Sequence, residues 1–173
     1  MKKYIAFILA AMAVSLVSVS CSNDDESDYT EEVSAKNKLQ GEAFLANNRT
    51  ANGVNETYTG LQYKIDSLGT GIKPDANDSV TIAYVAMLST GTVFENGTHK
   101  FEVEELIKGM SEGLQLMPEG SVFHLYIPYY LAYGRENKSV YYGGKVINVA
   151  PYSMLHYYIS LKKVVAVDDA PEI

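Results

Sequence analysis

This chain has few basic residues, almost no sulfur nucleophile and no long apolar stretch, and each shortage removes a class of protein. Cys21 is the one cysteine among 173 residues, which excludes an internal disulfide framework. Lysine and arginine are scattered and outnumbered, so the formal net charge is −7. Without a basic cluster, nucleic acid and anionic membrane surfaces are excluded as partners. The histidines His99, His124 and His156 have no spacing that suggests zinc, and no metal is expected. No serine-hydrolase elbow and no phosphate-cradling glycine loop occurs, and no cofactor is expected. The apolar run from Tyr4 to Val17 is too short for a bilayer span, which takes about 20 apolar residues.

What is present starts with Met1-Lys2-Lys3 and that apolar run, the layout of a bacterial signal peptide. It ends in Val17-Ser18-Val19-Ser20-Cys21, which resembles the lipobox, where the cysteine thiol is diacylated and becomes the new N-terminus. Ser18 stands where the common pattern has Leu or Val. The plain alternative is a secretory peptide followed by an unmodified Cys21. The acidic run Ser22 to Asp28 has nothing to bury and reads as a solvated tether. It also resembles the surface-export signal of Bacteroidetes lipoproteins. Loss of Lys2 and Lys3 would take the charge from −7 to −9. Attachment to the bacterial outer membrane, on its periplasmic or cell-surface face, would then come from lipid on Cys21 rather than from electrostatics.

About 150 residues remain after cleavage, enough for one domain and a tether, and they contain no internal repeat. Residues 1–20 read as signal peptide, 21–29 as acidic tether, 30–58 as N-terminal helix and linker, 59–166 as the main domain and 167–173 as a tail. The helix is expected from Thr30 to Asn48, because acidic residues open it and apolar residues are interleaved with charge. The breakers Asn52, Gly53 and Asn55 follow. Alternation predicts strands at Leu61–Ile65, Ser79–Leu88, Phe101–Val103, Ser121–Pro128 and Leu155–Val165, with a short helix over Glu104–Met110 and a second turn near Ser111–Leu114. The residues 135–150 read as a long loop. Several strands, one short helix among them and one helix in front make an α+β fold.

Four segments then resemble, in order, the FK506-binding-protein (FKBP) type of peptidyl-prolyl isomerase in its bacterial lipoprotein form. Gly41-Glu42-Ala43-Phe44-Leu45-Ala46-Asn47-Asn48 is similar to the helix preceding the domain in periplasmic and surface members. Gly60-Leu61-Gln62-Tyr63-Lys64-Ile65 with Gly69-Thr70-Gly71 is similar to the opening strand and its turn. Val80-Thr81-Ile82-Ala83-Tyr84 with Gly91-Thr92-Val93-Phe94 is similar to the second strand and the pocket edge. Gly109 to Gly134 resembles the floor, the central strand and the Ala132-Tyr133-Gly134 corner. The resemblance implies a half-wrapped antiparallel sheet around one short helix. It implies catalytic roles for Tyr133, Tyr84, Phe94 and Glu95, and substrate contacts from Leu106, Ile107, Met110, Val149 and Tyr157. Tyr133 would donate its hydroxyl to a substrate carbonyl, and a free backbone N–H near Ile107 would bind a second one.

The chain departs from the family pattern in three places. Met110 replaces the usual tryptophan at the floor, in a chain that has none; Glu95 replaces the usual aspartate, with a short loop expected over Asn96–Lys100; and the 135–150 segment replaces the family's Gly-Ile-Ile-Pro-Pro-like run. The function implied is isomerisation of X-Pro bonds in proline-containing clients, assisting the folding of exported proteins. Two alternatives stay open: an FKBP-like chaperone with little turnover, and a surface lipoprotein binding a glycan or protein through Tyr141 and Tyr142.

Overall fold

A computed structural model of the chain describes residues 25–167; the expected signal peptide, Cys21 and the residues from 168 onward lie outside them. Helix α1 runs Asp25–Asn48, so it begins inside the stretch expected to be tether. Eight strands follow: β1 Val54–Glu56, β2 Gln62–Ser67, β3 Ser79–Leu88, β4 Val93–Glu102, β5 Val122–Ile127, β6 Lys138–Tyr142, β7 Lys145–Val149 and β8 Leu155–Val165. Six form one antiparallel sheet in the order β1-β2-β5-β8-β3-β4, and β6 pairs with β7 in a separate hairpin. The fold is α+β.

Alternation decides which sheet face is wet. Phe123, Leu125 and Ile127 of β5 and Leu155, Tyr157, Ile159 and Leu161 of β8 are buried on the concave face, with Val80, Ile82, Tyr84 and Ala86 of β3 beside them. Helix α2, Lys108–Leu116, lies in that concavity against β5. It buries Gly109, Met110, Gly113 and Leu114. Two glycines four apart share one side of a helix, and here that side meets the sheet. A Cβ on Gly109 would run into Ile127, and one on Gly113 into Leu125.

The expected helix over Glu104–Met110 is corrected by this. Val103–Glu105 is a separate 3-10 turn, Leu106 and Ile107 are extended, and the true helix starts at Lys108 and runs past both glycines. The expected second turn at Ser111–Leu114 lies within this helix, so the local reading errs chiefly at the start, which it places at Glu104 instead of Lys108. The backbone approach that glycine permits is what the helix needs here. Of the expected short strand Phe101–Val103, Phe101 and Glu102 end the ten-residue β4 and Val103 opens the 3-10 turn, and the presumed loop Asn96–Lys100 lies within β4. β4 is the edge of the sheet, largely exposed, and its polar residues hide its character. The expected long loop at 135–150 holds the β6–β7 hairpin, turned by Gly143 (φ 60) and Gly144 (φ 81). Two successive positive φ values suit glycine and give the twist that strands prefer.

On the convex face α1 docks chiefly through polar contacts. Gln62, almost fully buried, accepts from Asn48 Nδ2 (3.0 Å) and donates to the Leu45 carbonyl (2.9 Å) and to Glu56 Oε2 (2.7 Å). Phe44 meets Tyr126 at 5.7 Å between rings, and Gly41 lies against Met154. Next to Tyr126, the histidines of β5 and β8 join: His124 Nδ1 and His156 Nε2 are 2.8 Å apart, and His124 Nε2 is 3.1 Å from Asp66 Oδ2. Burial, together with the neighbouring His124, lowers the pKa of His156 to about 4.

Two outcomes are expected. Gly109→Ala gains about 1 kcal/mol of helix propensity but overpacks a closed contact at about 1–3 kcal/mol; urea unfolding should register a net loss of up to about 2 kcal/mol. Below the ordinary pKa of 6.5 the unfolded chain protonates His156 while the folded chain resists until about 4. Unfolding free energy should therefore fall as pH drops through that window, and His156→Gln should flatten the fall in a denaturant series against pH.

Candidate functional site

The concave sheet face and the start of α2 leave one cavity open between them, of about 230 Å³. Its walls are Ile82 and Tyr84 from β3, Glu95 and Phe101 from β4, Glu105, Leu106 and Ile107 from the segment entering α2, Met110 from α2, Tyr133 and Tyr157. Strand alternation puts Ile82 and Tyr84 inward two residues apart. Phe101 pairs with Val80 across the ladder, and its ring lies 6.0 Å from that of Tyr84.

Seven residues expected at a site are therefore gathered around one cavity: Tyr133, Tyr84, Glu95, Leu106, Ile107, Met110 and Tyr157. Phe94 and Val149 are not on its walls. Phe94 is fully buried behind Tyr157, edge-on at 6.3 Å, and Val149 is 1% exposed. Phe94 backs the pocket through Tyr157, and Val149 belongs to the buried core. Ile82, Phe101 and Glu105 also line it, and the sequence motifs do not mark them. The first two are within reach of the strand register. Glu105 suits a helix dipole by its place in the sequence, and the 3-10 turn brings it to the cavity instead.

The polar groups are few and fixed. Tyr84 Oη donates to Glu95 Oε1 at 2.7 Å. Burial raises the pKa of Tyr84, reinforced by that bond, and burial raises Tyr133 and Tyr157 as well. All three hydroxyls therefore stay protonated and act as donors at neutral pH. Ile107 caps α2: its carbonyl accepts from Met110 N (2.9 Å) and Ser111 N (3.0 Å). Among the described residues its own N–H has no backbone partner, as expected at a helix start. Met110 is 3% exposed and gives the floor a flexible thioether chain. Beyond the rim, Tyr142 Oη accepts from Asn96 Nδ2 at 2.7 Å, tying the hairpin to β4, while Tyr141 stands 75% exposed. Among the described residues no group of three or more His, Cys, Asp or Glu side chains is placed to hold a metal. A largely apolar hollow with donors at two sides and the acidic Glu95 and Glu105 on its walls can bind a carbonyl-bearing apolar group.

The family model described as FKBP-type peptidyl-prolyl cis-trans isomerase matches residues 70–162, and the one for the domain amino-terminal to it matches residues 11–65. The chain belongs to the FKBP family. It is 45% identical over 105 residues to the outer membrane protein MIP of Legionella longbeachae, covering 57% of this chain and 45% of that protein. It is 38% identical over 140 residues to a probable FKBP-type peptidyl-prolyl cis-trans isomerase FkpA of Neisseria meningitidis, covering 78% of this chain and 49% of that one. The crystal structure of FkpA from Escherichia coli superposes with a TM-score of 0.71 at 28% identity, over 80% of this chain and 63% of that chain. This FKBP thus spans less than half the length of these two curated relatives.

Removal of the carboxylate at the FKBP pocket should be felt in stability. Glu95→Ala leaves the Tyr84 hydroxyl without its partner and should cost about 1–2 kcal/mol in urea unfolding. Glu95→Gln keeps an acceptor and should lose less than half of that.

Proposed function

We propose that this FKBP is a peptidyl-prolyl cis-trans isomerase that assists folding of exported proteins, held to the outer membrane by lipid on Cys21. The observation that carries the activity is the apolar cavity with tyrosine donors on its walls. Rotation about an X-Pro bond breaks amide resonance, at a barrier of about 18–20 kcal/mol. The planar ground state has the larger charge separation, so an apolar site disfavours it relative to the twisted amide. Ile82, Phe101, Leu106 and Met110 supply that environment. Tyr133 donates to the substrate carbonyl next to the proline, and the Ile107 N–H holds a second carbonyl in register. Preference for the twisted form is what accelerates the step, and each tenfold gain takes about 1.4 kcal/mol.

The envelope location draws on the lipobox-like Val17–Cys21 run and on the likeness to the Legionella relative, named as an outer membrane protein. Among the described residues no helix is long and apolar enough to cross a membrane. Anchoring by lipid, with the periplasmic or outer face as the working side, is the reading that fits a lone cysteine. Radiolabelled palmitate incorporated into the native chain and lost in Cys21→Ser is the expected result; equal labelling of both would refute the anchor.

Met110 favours a second reading, a prolyl-binding chaperone with slow turnover. A thioether chain fills space without the flat face an indole would give. A protease-coupled assay on a proline peptide separates the two. The native protein should accelerate isomerisation above background, Tyr133→Phe should lower kcat/KM by roughly tenfold for one lost hydrogen bond, and Met110→Trp should raise it. Binding of the peptide with no acceleration by the native protein would leave only the chaperone.

A further inference from the structure

A second groove lies beside the prolyl pocket, on the other side of Leu106. It measures about 610 Å³, and Leu106 is a wall of both cavities. Tyr58 forms one side; Ser111, Glu112, Gln115 and Leu116, on the side of α2 turned away from the sheet, form the other; Glu104 and Lys108 stand at the end nearest the pocket segment. The turn that carries Tyr58 is fastened. Thr57 N donates to the Leu61 carbonyl at 2.9 Å and Gly60 N to the Thr57 carbonyl at 3.1 Å. Thr59 Oγ1 lies 2.8 and 2.7 Å from the two Glu112 carboxylate oxygens, and 2.8 Å from Thr57 Oγ1. The fastened turn thus carries a tyrosine that is fully exposed, at 100%, beside a groove that the half-buried Leu106 and Leu116 also line. That side chain buries nothing within its own chain.

Two further observations say what belongs there. Between pocket and groove the backbone at Leu106 (φ −78, ψ 160) and Ile107 (φ −55, ψ 147) is extended, and the Ile107 N–H is unpaired among the described backbone groups. This is an edge along which another extended chain can run. The charge is one-sided: Glu95 and Glu105 in the pocket and Glu104 and Glu112 in the groove stand against Lys108. A polypeptide with its proline in the pocket continues at roughly 3.3–3.6 Å per residue, so crossing Leu106 takes a residue or two.

We propose that this groove is a flanking subsite for the client polypeptide: it seats residues roughly two to four positions from the proline and selects basic and apolar side chains there. Tyr58 covers the aliphatic stem of such a residue, and Glu104 and Glu112 meet its charge. The subsite rests on the isomerase reading for the chain that enters it, but its binding is measurable without turnover.

The test uses fluorescein-labelled peptides centred on one proline: a short peptide, the same peptide extended with lysines two to four positions away on either side, and the same extended with glutamates. Anisotropy measures binding, and the coupled assay measures turnover of the short peptide. The lysine peptide should bind the native protein at least fivefold more tightly than the glutamate peptide, and added salt should narrow the gap. Glu104→Lys combined with Tyr58→Ser should abolish the preference while leaving short-peptide turnover within twofold, since neither residue lines the prolyl pocket. Equal binding of the two extended peptides, or a preference that survives the double variant, overturns the subsite. Turnover of the short peptide without discrimination overturns the subsite alone. Discrimination without turnover overturns the isomerase reading and keeps the subsite.

Discussion

The close seat of α2 on β5 is the contact the rest of this molecule depends on. Gly109 and Gly113 present no side chain to Ile127 and Leu125, so the helix sinks until backbone and branched side chains touch. Protein interiors are packed like organic crystals, and a helix held one methyl further out would not leave the same hollow. The seat fixes the depth of Met110 at the floor. It also forces the chain to enter the helix through the extended pair Leu106–Ile107, which forms the lip of the pocket on one side and of the Tyr58 groove on the other.

The chemistry of the pocket follows from what that arrangement dries. Three tyrosine residues and the acidic Glu95 and Glu105 line a cavity whose other walls are aliphatic and aromatic, and burial keeps each tyrosine hydroxyl protonated. The Tyr84–Glu95 bond sets the orientation of one wall. Such a site offers shape, low polarity and a few donors, the set of properties that can favour a twisted amide over a planar one. The Met110 floor keeps the volume apolar and gives up rigidity.

The strands with strong alternation, β3, β5 and β8, were legible, because burial on one face imposes period two on the side chains. Those without it were not. β4 is an edge strand whose residues 96–100 are polar, and β6 and β7 sit in a hairpin set apart from the main sheet, so neither carries a clean apolar stripe. The turn glycines Gly143 and Gly144 were the available sign of that hairpin. Helix α2 starts about one turn later than its local pattern suggests, because Val103–Glu105 closes as a separate 3-10 turn before it; glycine is a poor helix former, and the facing side chains of β5 favour it here. The pocket residues Tyr84, Leu106, Ile107, Met110, Tyr133 and Tyr157 could be named from motif order. Whether a residue faces the cavity or is buried away from its walls, as Phe94 and Val149 are, depends on how far the sheet curls.

By itself the sequence determined the class of fold, the family and the residue types available to the pocket. These are local properties: alternation, turn glycines and a signature between Gly109 and Gly134 are properties of neighbours along the chain. The tertiary structure alone decided the depth of the helix, the meeting of His124, His156 and Asp66 on the convex face, and the juxtaposition of Tyr58 with a helix far along the chain. Each of those is set by contacts between segments distant in sequence, where packing distance rather than residue type is the deciding variable.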